Sequence, residues 1–278
     1  MDDEARDVAW KLHREVAVVL GWGAAILLQF AHPLVALGAA EHSQFRARPD
    51  GAWRRFWHTV AAIEALTLGP PNTAACAARA IDTLHGGVRG VAREALGGFP
   101  PGTPYAARDP ALLLWVHATV LVATVQAYER FVGPLTPAER DRYCAQSAHW
   151  GHLLGIPLAA LPRDWTALDR YFTAMLSGEA IQVTPLAHTL AHAVLAGPVP
   201  PHVPRWLWPA RRPLQLITAG LLPPALRDAY GLPWSVWHAA LFRALSAGVR
   251  HLLPMLPARF RYWPAGREVP LLFDGACA

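Results

Sequence analysis

Thirteen histidines are many for a chain of 278 residues, and three groups of side chains around them have spacings that could do chemistry. Arg55, His58 and Thr59 stand at i, i+3 and i+4, so a helix places all three on one face. Asp82, His85 and Arg89 follow at steps of three and four, the pattern of a second helical face. His117 lies inside residues 110–128, which hold no charged side chain, so it must be buried or paired. A neutral imidazole is a good iron ligand, and one proximal histidine can hold a haem. A haem also brings two propionates, which arginine meets in forked geometry. A histidine with an arginine on its own face, opposite an Arg/His/Thr patch, is therefore compatible with haem. The same residues are equally compatible with packed histidines of a helical core.

Other chemistries lack their residues. Gly21-Trp22-Gly23 is followed by Ile26 where a dinucleotide fingerprint needs its third glycine. There is no GxxxxGK[ST] phosphate loop and no GxSxG nucleophile elbow. No Glu precedes a His by three residues, which removes the usual di-iron bundle signature. His188 and His192 stand four apart as HTLAH, without the Glu of HExxH, and His149 and His152 form another helical pair. Neither pair has further ligands at hand, and both read as packed or surface histidines. Cys76, Cys144 and Cys277 form no CxxC pair, which argues against a disulfide scaffold, a zinc ribbon and a covalently attached c-type haem.

The elements that must carry these residues are helices. The helical period dominates, with no convincing strand ladder, and predicts an all-α fold. Helices are expected near 5–19, 22–44, 51–68, 73–89, 110–131, 137–154, 164–177, 179–196, 211–220, 223–229 and 234–252. Asp109-Pro110 puts a capping Asp before a Pro at the first helical position. Thr136-Pro137-Ala138-Glu139 is a capping box. Asn72 or Thr73 can cap the helix that runs to Arg89, and Gly90 can end it. Pro33 lacks an N–H and crowds His32, so the helix near 22–44 must bend there. Residues 16–40 and 110–128 are uncharged and long enough to span a membrane, but read better as buried central helices.

Composition and charge bound the rest. The chain is 53% hydrophobic and only 16% charged, which excludes disorder. Its net charge is +5, with Lys11 the single lysine beside 24 arginines. Residues 198–278 hold nine arginines against three acids, with thirteen of the 26 prolines and five of the twelve Trp. This reads as a Pro/Trp/Arg-rich region wrapping the core of one domain (1–278). The arginines are dispersed and no nucleic-acid motif accompanies them, so no nucleic-acid partner is expected. Contact of this face with anionic lipid stays open. The acidic start MDDEARD lacks the positive region of a secretion signal and points to the cytoplasm.

The stretches LLQFAHPLVALGAAEHSQF (27–45), RFWHT (55–59), LHGGVRG (84–90), YAARDPALLLWVHATV (105–120) and ERFVGPLTPAERDRYC (129–144) resemble the family of MpaB-type oxygenases and latex clearing proteins, the rubber oxygenases. The similarity continues through LLGIP (153–157) and LLPPALRDAYGLPW (221–234), so it covers nearly the whole chain. The resemblance implies a globin-like helical bundle around a buried, non-covalent b-type haem, with dioxygen as co-substrate. It makes His85 the proximal iron ligand and Arg89 the arginine that follows it. It makes Arg55 and Thr59 the pair needed for haem binding and activity, and Glu41 the acidic base. His117, in WVHAT, is a family hallmark, and is carried over among the cofactor-binding residues. The resemblance also exposes a departure. Latex clearing proteins have a lysine before the motif threonine, able to ligate iron, where this chain has His58. His58 is thus a second axial ligand or a hydrogen-bond donor to dioxygen. The implied activity is oxidation of an apolar, unsaturated small molecule by C=C cleavage or hydroxylation. A peroxidase, another oxidative tailoring enzyme and a non-catalytic haem carrier or sensor are the alternatives.

Overall fold

The computed structural model of the chain describes residues 7–42, 51–196 and 211–263, with the side chains of 51–56 outside that description. Helices dominate it, and the one ladder among the described residues is a short two-stranded one. Helix α1 (Val8–His13) starts where the Asp7 carboxylate accepts from the Trp10 amide across 2.9 Å. It does not run to residue 19 as the period predicts. Glu15 leaves helical geometry to bridge Tyr262, and its buried carboxylate accepts from Arg261 at 2.7 Å. A buried carboxylate must be paired, and meeting that need outweighs the local helix preference. A 3-10 turn (Val16–Gly21) follows.

Helices α2 (Trp22–Phe30) and α3 (Pro33–His42) are the expected bent element, turned through 104° at their junction. The carbonyls freed by the bend find other donors. Gln29 O accepts from His32 N at 3.1 Å, and Ala31 O accepts from Gln182 N at 2.8 Å. Helix α4 (Gly51–Thr67) turns back through Leu68–Pro70 into α5 (Pro71–Gly86). Here Pro70 caps and Pro71 opens the helix; neither Asn72 nor Thr73 caps it.

Helix α5 also stops short of Arg89. Gly86-Gly87 is a weak helical pair, and the amides of Gly87 and Val88 close the turn on Leu84 O and His85 O at 3.2 and 3.0 Å. The chain then forms β1 (Arg89–Val91), antiparallel to β2 (Pro104–Ala106), with Gly90 opposite Tyr105. Arg89 is therefore exposed on a strand and does not share a helix face with His85.

Helix α6 (Pro110–Phe131) opens with Asp109 accepting from Ala111 N at 2.8 Å, as expected. Its most apolar window is 72% buried inside the protein. It is long and apolar enough to cross a membrane, and so would be the helix pair α2–α3 if that pair were one span. Helix α7 (Pro137–Leu153) carries the expected capping box of Thr136 and Glu139. Helix α8 (Trp165–Ser177) is capped by Asp164. Helix α9 (Pro185–Ala196) begins later than predicted, because Thr184 accepts from Ala187 N at 3.2 Å and Pro185 starts the turn. Helices α10 (Arg212–Leu221), α11 (Pro224–Ala229), α12 (Val236–Leu252) and α13 (Ala258–Arg261) complete the described chain. Tyr230 fastens this part to α2 by donating to Leu27 O at 2.7 Å. Residues 198–210 and 264–278 of the expected wrapping region lie outside the described residues.

The core centres on α6, against which the 3-10 turn and α2 pack. Their approach depends on Gly21. A Cβ there would stand 2.7 Å from Ala123 O and 2.9 Å from Ala127 Cβ. The first neighbour is backbone and cannot rotate away. Gly21→Ala is expected to cost about 1–3 kcal/mol as an overpacking substitution, read as a lower denaturant midpoint with unchanged slope.

Candidate active site

A cavity of about 1070 Å³ opens between α2–α3, α4, α5, β2, α6 and the end of α7. That is just above the range for sites holding cofactors or small ligands, roughly 300–1,000 Å³. Each helix contributes a stripe. On α4 the lining residues His58, Thr59, Ala62, Ile63 and Leu66 recur at helical spacing. On α6 Leu112, Leu113, Val116, His117 and Val120 do the same. The walls are mainly hydrocarbon, with the polar groups at a few points.

His85 lies half-buried in the last turn of α5 and lines the cavity. A clamp that the sequence reading missed fixes that turn. Arg108 donates to both Asp82 carboxylate oxygens at 2.7 Å and to the Asp82 carbonyl at 2.9 Å. Its guanidinium passes over Gly86, where a Cβ would stand 3.0 Å away. Spacing alone could not show this, because Asp82 and Arg108 are separated by the turn after α5 and by both strands. His58 and Thr59 are exposed but also line the cavity, so α4 and α5 present two imidazoles and a hydroxyl to one space. Arg55 belongs to α4, and its side chain lies outside the described residues. Arg89 does not line the cavity.

Glu41 is exposed and does not line the cavity. Tyr105 does line it, and donates its single hydroxyl proton to Glu41 Oε2 in a short bond. His42 Nε2 meets the same hydroxyl at 3.1 Å and must therefore donate to it. Burial first, then the bond to Glu41, pushes the Tyr105 phenol up to about 12. Gly90 makes the arrangement possible, since a Cβ there would stand 2.7 Å from the Tyr105 hydroxyl. The glycine of the VRG stretch thus serves a tyrosine fifteen residues later in the chain. Tyr105→Phe removes a donor to an exposed carboxylate that water can resolvate, and is expected to cost about 0.5–1.5 kcal/mol of stability, measured by urea denaturation at pH 7.

His117 is 3% exposed, and its Nδ1 has no partner. The ring lies edge-on to Trp150, with centroids 4.3 Å apart, and a Cβ at Gly151 would stand 2.9 Å from Cε1 and 3.3 Å from Nδ1. Burial holds the imidazole neutral, pushing its pKa down to about 3. The pairs His149/His152 and His188/His192 acquire no further ligands. Among the described residues no three His, Cys, Asp or Glu side chains gather as a metal cluster. His152 Nδ1 lies 3.2 Å from Ile156 O, an ordinary structural bond.

Comparison with known proteins decides the family. Residues 10–251 match the domain described as ER-bound oxygenase mpaB/B'/Rubber oxygenase, catalytic domain. The chain belongs to this family. It is therefore an oxygenase by family, an oxidoreductase. Uncharacterized proteins of Mycobacterium bovis and Mycobacterium tuberculosis are each 28% identical to it over 248 residues, covering 84% of this chain and 88% of theirs. No solved structure matches it significantly.

Proposed function

We propose that this oxygenase uses haem b, with dioxygen as co-substrate, to oxidise an apolar small molecule at or beside a C=C bond. The observation that carries the reading is the cavity itself: an apolar chamber whose walls hold His85 and His58. A bare iron ion needs three or more protein ligands, and the described residues gather no such cluster. A macrocycle brings its own four nitrogens, needs one or two imidazoles, and wants hydrocarbon walls. The residues present fit that group.

In this reading His85 would hold the haem iron, and His58 would bind it as well or donate a hydrogen bond to dioxygen. Arg55 and Arg89 would hold the propionates or fix the pocket, Arg89 doing so from its strand. When bound, haem iron supplies the activation of dioxygen. The chain's own residues do the rest. The apolar stripes of α4 and α6 exclude water and hold the hydrocarbon. Thr59 offers a hydroxyl that can donate or accept at the reacting end. Glu41 takes an allylic proton, and the wall position of Tyr105 routes that proton through its hydroxyl.

The apolar character of the substrate has a counterpart outside. On α12 and beyond, Val236, Trp237 and Met255 are 77%, 81% and 77% exposed, with Arg243, Arg250 and Arg259 also at the surface. We propose peripheral contact with anionic lipid here, which salt should weaken. Cytoplasmic residence remains part of the reading.

The test is an absorption spectrum, oxidised and dithionite-reduced, followed by turnover of alkenes under labelled dioxygen. A Soret band and two labelled oxygens in the products support cleavage, and one supports hydroxylation. A Soret band without turnover of any alkene, in a low-spin form that His58→Ala abolishes, favours a haem carrier or sensor closed by His58. No Soret band after haem is added back overturns the haem reading.

A further inference from the structure

Several polar side chains that line the cavity have spent their donors inside the protein. Thr67 and Thr83 turn their hydroxyls back onto Ile63 O and Arg79 O, at 2.7 and 2.9 Å. Gln29 donates to Thr119 at 3.2 Å. Two neighbouring rings of the lining differ: Trp150 Nε1 and His117 Nδ1 are both buried without a partner. With Nδ1 shut away, Nε2 is the nitrogen of His117 left to meet the cavity that the residue lines. A buried N–H without an acceptor is the costlier orphan, and Gly151 offers Nδ1 none. The proton therefore belongs on Nε2, facing an apolar chamber and asking for an acceptor.

We propose that His117 is the point of substrate recognition, donating from Nε2 to one uncharged oxygen, a hydroxyl or carbonyl, on an otherwise hydrocarbon molecule. The inference rests on the oxygenase reading of this cavity and names its substrate class: long-chain alcohols, aldehydes or ketones, in preference to plain hydrocarbons and to carboxylic acids. Burial supports the last exclusion. A neutral imidazole in a hydrocarbon wall does not compensate the loss of water around a carboxylate. The same burial keeps His117 from becoming a cation that could do so. Gly151 completes the device, because a Cβ there would stand 2.9 Å from His117 Cε1 and displace the ring.

The test is equilibrium dialysis of labelled 1-decanol, decane and decanoic acid against the haem-supplemented protein at neutral pH, with haem content read separately from its absorbance. Wild type is expected to hold decanol about tenfold more tightly than decane or decanoate. His117→Leu should bring decanol to the level of decane while leaving decane binding within about twofold, and His117→Gln, which keeps an N–H donor, should restore part of the preference. Equal binding of decanol and decane by wild type overturns the proposal. So does an undiminished preference in His117→Leu, or failure to bind any of the three. If His117→Leu does not fold, the wild-type ratio and His117→Gln decide. Absence of haem with the decanol preference intact sinks the haem reading and leaves this one standing.

Discussion

His85→Ala is expected to strip the purified protein of its Soret absorption, to below about a tenth of wild type. Loss of an outer partner of a metal ligand already costs about 10–100-fold in affinity, and loss of the proposed iron ligand itself should cost no less. Three facts make His85 the residue to remove. It lines the cavity, it sits in the last turn of α5, and Arg108 fixes that turn through Asp82 and Gly86. Free imidazole added to the variant should restore much of the band, because the hole left by the ring is the shape of imidazole. Rescue separates loss of a ligand from collapse of the fold. His251→Ala, on the exposed side of α12, should leave the spectrum unchanged. Arg108→Ala should weaken haem retention less than His85→Ala, since it loosens the turn and leaves the ligand. A His85→Ala protein with full haem content would refute the assignment.

Local rules carried the fold where one element decides its own ends. Asp109-Pro110, the Thr136/Glu139 box and the break at Pro33 are all satisfied within a few residues, and the structure keeps them. They were legible because a cap or a missing N–H acts only on its neighbours. Two of the misreadings have the opposite cause. Glu15 breaks its helix for Arg261, 246 residues away. Arg89 leaves the helix because Val88 O binds Ala107 N, committing the segment to a strand partner. No period in the sequence announces such partners.

The site divides in the same way. His58 and Thr59 share the α4 face as their spacing requires, and His117 is buried as its charge-free surroundings require. Tyr105 and Arg108 went unseen, since their work is done on Glu41 and Asp82 across a hairpin. Glycines gave a signal that spacing analysis does not weigh. Gly86, Gly90 and Gly151 each stand where a Cβ would strike a side chain at the site.

Lowering the pH from 6.5 to about 4.5 should remove on the order of 6 kcal/mol of folding stability, comparable to the whole of a typical domain's 5–15. The source is a set of buried neutral histidines. His13 and His117 flank Trp150, with ring centroids 6.5 and 4.3 Å from it, and His32 lies 5.3 Å from the Phe99 ring. Burial pushes His13 and His32 down from 6.5 to about 4, and His117 to about 3. In the unfolded chain each accepts a proton near 6.5, so below that pH the unfolded state binds more protons than the folded one. Stability is then full above 6.5, falls as the pH drops, and stops falling from this source only below the folded values. Each histidine contributes up to about 1.4 kcal/mol per pH unit in that window. Urea midpoints across pH 7.5 to 4.5 measure the slope. His13→Phe should flatten it by about a third, even though it also loses the 3.0 Å contact of His13 Nε2 with the Tyr143 hydroxyl and so starts from a less stable protein. Carboxylates such as Glu139, held by Lys11 and by Thr136 down at about 2, add their own loss only below the ordinary carboxylate range. A midpoint that stays level from 6.5 to 5 would mean that these rings are hydrated or charged in the folded protein, and that His117 does not face the cavity as a neutral donor.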